Sequence, residues 1–165
     1  EWVISGLFEI GVCEMPLIHD GLEAHPINVE TRLAIPADSP LAEHEVLTPE
    51  LLEGVPFIVM GPEHMTHRRT REVFQQAGVP LKTRVHSHLF KNLLSFVQEG
   101  MGVSILDPFV LDFEAGGGFV SRPFRPRIMM EMAVITSKSR PLSAVGHEFL
   151  ALLKQELAPY SASKS

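Results

Sequence analysis

The sequence predicts a mixed α/β fold, and three observations carry that prediction. From Pro56 to Leu106 short apolar runs alternate with helical patterns, in the order strand, helix, strand, helix, strand. Glycines stand where the helical patterns stop, at Gly54, Gly78 and Gly100. Two long apolar segments, Val29–Ile35 and Ile128–Thr136, flank the alternating run as the hinge strands between two lobes would.

Taken in order, Glu1–Ser5 reads as the end of a helix capped by Gly6, which, with no initiator Met, marks the chain as a fragment whose upstream part is missing. Leu7–Cys13 has the composition of a buried strand, followed by a loop with Glu14, Met15 and Pro16. Leu22–Pro26 and Val29–Ile35 are predicted strands. Asp38-Ser39-Pro40 is a turn, and Thr48-Pro49-Glu50 opens a short helix closed by Gly54. Pro56–Met60 is a strand, and His64–Ala77 a helix burying Thr70, Val73, Phe74 and Ala77. Leu81–His86 is the next strand. Ser87 is expected to cap a helix with an apolar face of Leu89, Leu93, Phe96 and Val97, and Val103–Leu106 follows as a strand. Such short connections favour parallel pairing and right-handed crossovers. Asp107-Pro108 opens a helical turn, Gly116-Gly117-Gly118 links it to the strand Phe119–Pro123, and Pro123 and Pro126 break the chain before Ile128–Thr136. The last helix, Ser143–Leu157, is expected to bury Val145, Phe149, Leu152, Leu153 and Leu157, with a frayed tail after Pro159.

Composition narrows the function. At 165 residues the chain can bury a real core, as one domain or two small lobes. A net charge of −6 argues against this segment gripping nucleic acid, which needs clustered Lys and Arg. No apolar run is long enough to span a bilayer and no signal peptide opens the chain, so a cytoplasmic location without membrane attachment is expected. Cys13 is the only cysteine, which excludes an intrachain disulfide.

In an open α/β sheet ligands sit beyond the carboxyl ends of the strands, and these ends hold the candidate binding residues: Glu14 and Met15; Met60, Gly61, His64 and Thr66; Ser87 and His88; and Asp107. Ser87, as a helix cap, could receive a ligand carboxylate, although capping of its own helix alone explains it somewhat better. Thr66 and His64 open the neighbouring helix, and two helix starts facing one crevice make an anion pocket. Glu14 would need a cationic partner such as a ligand ammonium; the plain alternative is an exposed acid or a salt bridge to a nearby Arg. Four histidines, His64, His67, His86 and His88, share this region, but their spacing is common and no carboxylate or thiolate completes a metal motif, so neither metal nor cofactor is expected. Arg68, Arg69 and Arg71 read as a solvated helix face, and Met129, Met130 and Met132 as strand and core filler. Nucleophile elbow, P-loop, dinucleotide fingerprint and H-E-x-x-H are all missing, which argues against an enzyme.

Four passages resemble the effector-binding domain of LysR-type transcriptional regulators. They are Trp2-Val3 through Gly6, Glu9-Ile10-Gly11-Val12; Arg32–Ala42 (RLAIPADSPLA), with Ser39 where the family often has His; Leu47–Val59 (LTPELLEGVPFIV); and Ser87–Pro108, ending FVQEGMGVSILDP. The last is the most specific, and the resemblance runs over nearly the whole chain. It implies a two-lobed fold of the periplasmic-binding-protein type (type 2), with residues 1–36 and 128–165 in a lobe I that lacks its N-terminal part and 37–127 in lobe II. It also implies a small effector in the cleft, a homodimer or homotetramer, and DNA contact only through an upstream helix-turn-helix. Glu14, the His86-Ser87 pair and Asp107-Pro108 are similar to the branch that senses amino acids and opines, so the expected effector is amino-acid-like, its ammonium held by Glu14 and its carboxylate by Ser87 and Thr66. Two other functions compete. A solute-binding protein of a transport system would share the fold, and an enzyme built from such lobes would need a reactive residue, for which only Cys13 is available.

Overall fold

The computed structural model describes residues 1–113 and 117–161. These divide into two compact units, Glu1–Val29 with Met130–Ser165, and Glu30–Met129.

The first unit opens with one helical turn, α1 (Trp2–Ser5), whose Gly6 cap has φ +79°. Its sheet comprises β1 (Ile10–Glu14), β2 (Leu22–Glu30) and β8 (Met129–Ser137), in the order β1-β8-β2. β1 pairs antiparallel with β8, Ile10 opposite Thr136 and Glu14 opposite Met132. Val3, Leu22, Ala133 and Ile135 form the small core of this unit. Helix α5 (Ala144–Leu157) starts at Ser143, whose Oγ accepts the Gly146 N–H at 3.0 Å. Glu9 reinforces that start: its carboxylate accepts the Ser143 N–H and the Ser143 hydroxyl, both at 2.8 Å. These donors hold the exposed Glu9 carboxyl below the usual carboxylate range, the Ser143 amide contributing most.

The second unit is built on strands β3 (Arg32–Pro36), β4 (Phe57–Met60), β5 (Thr83–Ser87), β6 (Ser104–Leu106) and β7 (Phe119–Pro123). β3 lies between β6 and β7, antiparallel to both, while β4 and β5 pair in parallel. A parallel bridge between Phe57 and Val103 joins the two groups, with Val103 N–H donating to Pro56 O and Ile58 N–H to Val103 O, both at 2.9 Å. The strands therefore lie in the order β5, β4, β6, β3, β7. Helices α2 (Met65–Gln76) and α3 (Phe90–Gln98) cross over between them, and α4 (Pro108–Phe113) follows β6.

Alternation along the strands builds a core on each face of this sheet. Leu33, Ile35, Phe57, Val59 and Ile105 pack with Phe74 and Phe124 on one side. On the other, Ala34, Ile58, Met60 and Leu106 pack with Leu93, Leu94 and Val97 of α3. Phe74 is the pivot of the first core: its ring meets Phe57 edge-on at 5.1 Å and stacks with Phe124 at 6.2 Å. Where the chain enters and leaves the unit, Thr31 N–H and Oγ1 both donate to Ile128 O, at 3.0 and 2.8 Å. Beside them Glu30 pairs with Arg125 at 2.7 Å and with Arg127 at 3.5 Å.

Several sequence expectations change. The strand predicted at Leu7–Cys13 starts at Ile10, because Leu7 and Phe8 are exposed and Phe8 instead meets Trp2 edge-on at 5.8 Å. Pro26 does not stop its strand; it lies within β2, an edge strand, the setting in which a sheet tolerates proline. The expected long strand Val29–Ile35 is two strands, β2 ending at Glu30 and β3 beginning at Arg32, and β3 is interior to the second unit. The expected helix after Thr48 is a single 3-10 turn, Glu50–Leu52. Ala77 is exposed and Val73 only half-buried on α2, although Thr70 and Phe74 are buried. On α3, Leu89 is exposed and Leu94 takes its place in the core. On α5 the predicted apolar face is largely exposed at Val145, Phe149 and Leu152, since periodicity identifies a face without saying what covers it. Gly117 and Gly118 have φ of +91° and +82°, while Gly116 and the tail from 162 onward lie outside the described residues.

The junction of β4 and β6 leaves no room at Gly102. Its φ is +154°, and an added Cβ would fall inside the van der Waals shell of the Pro56 carbonyl oxygen, which accepts the Val103 N–H. Gly102→Ala is expected to destabilise the chain by about 1–3 kcal/mol, read as a lower urea midpoint with an unchanged slope.

Candidate functional site

The crossovers carry α2 and α3 into the cores on opposite faces of the second unit, and β4, β5 and β6 run parallel with their carboxyl ends on one edge. That edge gathers Met60 and Gly61, Ser87 and His88, and Asp107. Met60 is in register with Ser87, and Gly61 N–H donates to Ser87 O at 3.0 Å. The His88 ring lies over Gly61, close enough that a Cβ on Gly61 would stand 3.1 Å from its Cε1. Met60 turns its side chain into the core beside α3. At the strand end it presents a carbonyl, which the buried His67 takes up with Nδ1 at 2.7 Å.

Helix α2 begins on this edge. His64 is its cap, its Nδ1 accepting the Thr66 N–H at 3.2 Å, so that nitrogen carries no proton while the cap is made. The His64 ring also meets Phe90 edge-on at 5.1 Å, which ties the start of α2 to the start of α3. No acidic residue stands in the first turn of α2, leaving the positive end of its dipole uncompensated from within the helix. Thr66 follows with 4% of its surface exposed, and its Oγ1 has no hydrogen-bond partner among the described residues. The neighbouring Thr70 Oγ1 donates to Thr66 O at 2.7 Å. A buried hydroxyl without a partner costs about 1–3 kcal/mol.

Ser87 departs from its expected role. It ends β5, and Leu89 is the cap of α3, in extended geometry at φ −129°. Ser87 Oγ accepts only a long contact from Leu89 N–H, 3.4 Å. The substitution of one cap for another has a simple cause: β5 keeps its pairing with β4 through Ser87, so the backbone turns two residues later than the hydroxyl suggests.

Asp107 is buried, and its Oδ1 accepts the Val110 N–H at 2.9 Å, capping α4. Burial pushes its carboxyl above the usual range, partly offset by the N–H groups of Val110, Asp107 and Phe109 and by the nearby His64 ring. The second unit thus brings together Met60, Gly61, His64, Thr66, Ser87, His88 and Asp107 around one edge. Glu14 and Met15 belong to the first unit: Glu14 ends β1, exposed, and Met15 N–H donates to Glu131 O at 2.9 Å.

Sequence reading placed His67 with His64, His86 and His88 in this region but not among the binding residues, and the structure uses it to hold the end of β4. Its ring stacks on His86 at 5.5 Å and 27°. Among the described residues no group of three or more His, Cys, Asp and Glu is placed to hold a metal ion. The Cys13 thiol is pushed up by burial, which disfavours a thiolate nucleophile.

Comparison with known proteins gives one consistent result. A family model described as the LysR substrate binding domain matches residues 1–158. The Regulatory protein NocR of Agrobacterium tumefaciens (strain T37) is 26% identical over 151 residues, 91% of this chain and 50% of that protein. Among solved structures, the CcmR regulatory domain of Synechocystis PCC6803, in complex with 2-PG, has a TM-score of 0.74 at 18% identity, covering 99% of this chain and 79% of that one. HinK, a LysR family transcriptional regulator from Pseudomonas aeruginosa, has a TM-score of 0.75 at 14% identity, covering 94% and 55%. The chain spans about half the length of the curated regulators it matches most fully.

Asp107 offers a test of capping and burial together. Below its raised folded value and above the ordinary 3.8, the folded chain holds a proton that the unfolded chain has lost, so stability rises as pH falls through that window. Asp107→Asn keeps the acceptor for Val110 and should remove this pH slope without loss of stability at neutral pH. Asp107→Ala should lose about 1 kcal/mol with the cap. Urea titrations of the three proteins across the acid range check both outcomes.

Proposed function

The chain belongs to the LysR substrate binding domain family, and on that premise we propose that it is the sensing part of a DNA-binding transcriptional regulator, controlled by an amino-acid-like small molecule. The fold is the two-lobed, periplasmic-binding-protein-like fold of LysR regulatory domains. In this reading the two compact units are its lobes, and DNA is bound by a helix-turn-helix outside this chain, in a homodimer or homotetramer.

The observation that carries the proposal is the unpartnered Thr66 Oγ1 at the start of α2. A hydroxyl buried beside helix N–H groups, with no acid in the turn, suits an incoming carboxylate: the ligand would supply the acceptor the free chain lacks. Gly61 and Ser87 border the same edge with backbone and hydroxyl, and His64 and His88 supply imidazoles that can donate. Asp107 caps α4 in the free chain and, in the proposal, shapes the edge by fixing that turn. Glu14 is assigned the ligand ammonium, with Met15 beside it. Binding would act by favouring one of two conformations of the regulator, so its effect on transcription is bounded by the difference in affinity between them.

Thr66→Val separates this role from a structural one. Because the hydroxyl has no partner in the free chain, the variant should be at least as stable as the parent. Binding of the best amino acid from a thermal-shift screen of basic amino acids should weaken roughly 10- to 100-fold, as loss of a hydrogen bond to a charged group implies. A less stable free chain would assign the hydroxyl to the fold instead. Glu14→Gln should weaken amino acids while sparing the matching keto acids, which lack the ammonium; calorimetry that finds both unchanged removes Glu14 from the site.

A further inference from the structure

We propose that the first unit carries an anion-binding site of its own, a cavity of about 500 Å³ beside α5 that takes a small, multiply charged oxyanion of the phosphate type. Its wall is contributed by β2, by the end of β8 and the loop that follows, and by α5, all within the first unit. Lys138 and Arg140 come from the loop and Lys154 from α5; His25 and His147 also line the cavity, and Glu23 is the one acid in its wall.

In a chain of net charge −6, three permanent cations around one cavity would ordinarily have carboxylates beside them. Among the described residues, none of the three makes an ion pair. Like charges that share a concave surface repel, and the field they produce attracts an oppositely charged ligand. The chemistry of the rest of the wall agrees. Ser137 and Ser139 bring hydroxyls 3.1 Å apart, only one of which can donate to the other, so one hydroxyl proton remains for an incoming acceptor. Pro141, Leu142 and Leu150 add an apolar surface suited to a short carbon skeleton.

The class of ligand follows from these groups. A guanidinium fork and two ammonium groups match a compact oxyanion with several charged oxygens better than a single carboxylate. The wall has no Phe, Tyr or Trp, so nothing there would stack an aromatic base. The volume suits a small metabolite. Free phosphate and an organic phosphate would share this chemistry.

Inorganic phosphate and pyrophosphate, titrated into the full chain at constant low ionic strength and followed by calorimetry and amide NMR, test the proposal. The expected result is saturable binding at one site, pyrophosphate tighter, with the largest shifts at Ser137, Lys138, Ser139 and His147. Lys138→Gln and Lys154→Gln should each weaken binding about tenfold or more. Arg140→Gln should do the same, but Arg140 also packs against Gly6, so the two lysine variants decide the matter. Lys82→Gln, which removes one exposed charge from the second unit, should change nothing. Non-saturable binding, equal losses with Lys82→Gln, or full binding in both lysine variants would overturn the site. Loss with Thr66→Val and not with the lysine variants would move the anion to the other unit and overturn it as well. Glycerol 3-phosphate binding as tightly as pyrophosphate would point to an organic phosphate; pyrophosphate alone would point to the inorganic anion.

Discussion

Burial of β4 on both faces is the constraint on which the second unit depends. Phe57 and Val59 enter one core, Ile58 and Met60 the other, and a strand apolar on both sides must be covered by helices above and below. Right-handed crossovers satisfy that demand only if β5 and β6 flank β4 and the connecting helices take opposite faces. The reversal of direction, outward to β5 and back across to β6, sets the carboxyl ends of the three strands side by side. That edge is thus a by-product of how the core is covered.

Polar groups of β4 and of that edge are met by short hydrogen bonds, some from within a few residues and others from a neighbouring strand. Met60 O is held by His67, Ser87 O by Gly61, Ile58 O by Ser104 Oγ at 2.7 Å, and the first turn of α4 by Asp107. Against this background Thr66 Oγ1 stands out, because the same low-dielectric surroundings that strengthen the satisfied groups penalise the one left over.

The elements from β4 to β6 were legible in the sequence because each signal there is local: alternation, β-branched runs, and glycine at each helix stop. The residues gathered along the edge followed from the strand order alone. What was not legible depended on partners distant in sequence. Pro26 could be read as a strand stop only until β2 proved to be an edge strand. The cap of α3 shifted from Ser87 to Leu89 because pairing with β4 holds Ser87 in the sheet. The outward face of α5 carries Val145, Phe149 and Leu152, which share a helical stripe with no described residue burying them. The two long strands already suggested a unit built from separate halves of the sequence, and the family resemblance added its bounds.

The paired passages at Glu30-Thr31 and Arg125–Ile128 carry a mechanical implication. Two hydrogen bonds from Thr31 to one carbonyl and a carboxylate shared by two guanidinium-bearing side chains fasten one passage to the other. The second unit therefore begins and ends at one fastened point: its first and last residues are cross-linked to each other, so the unit closes on itself where the chain enters and leaves it.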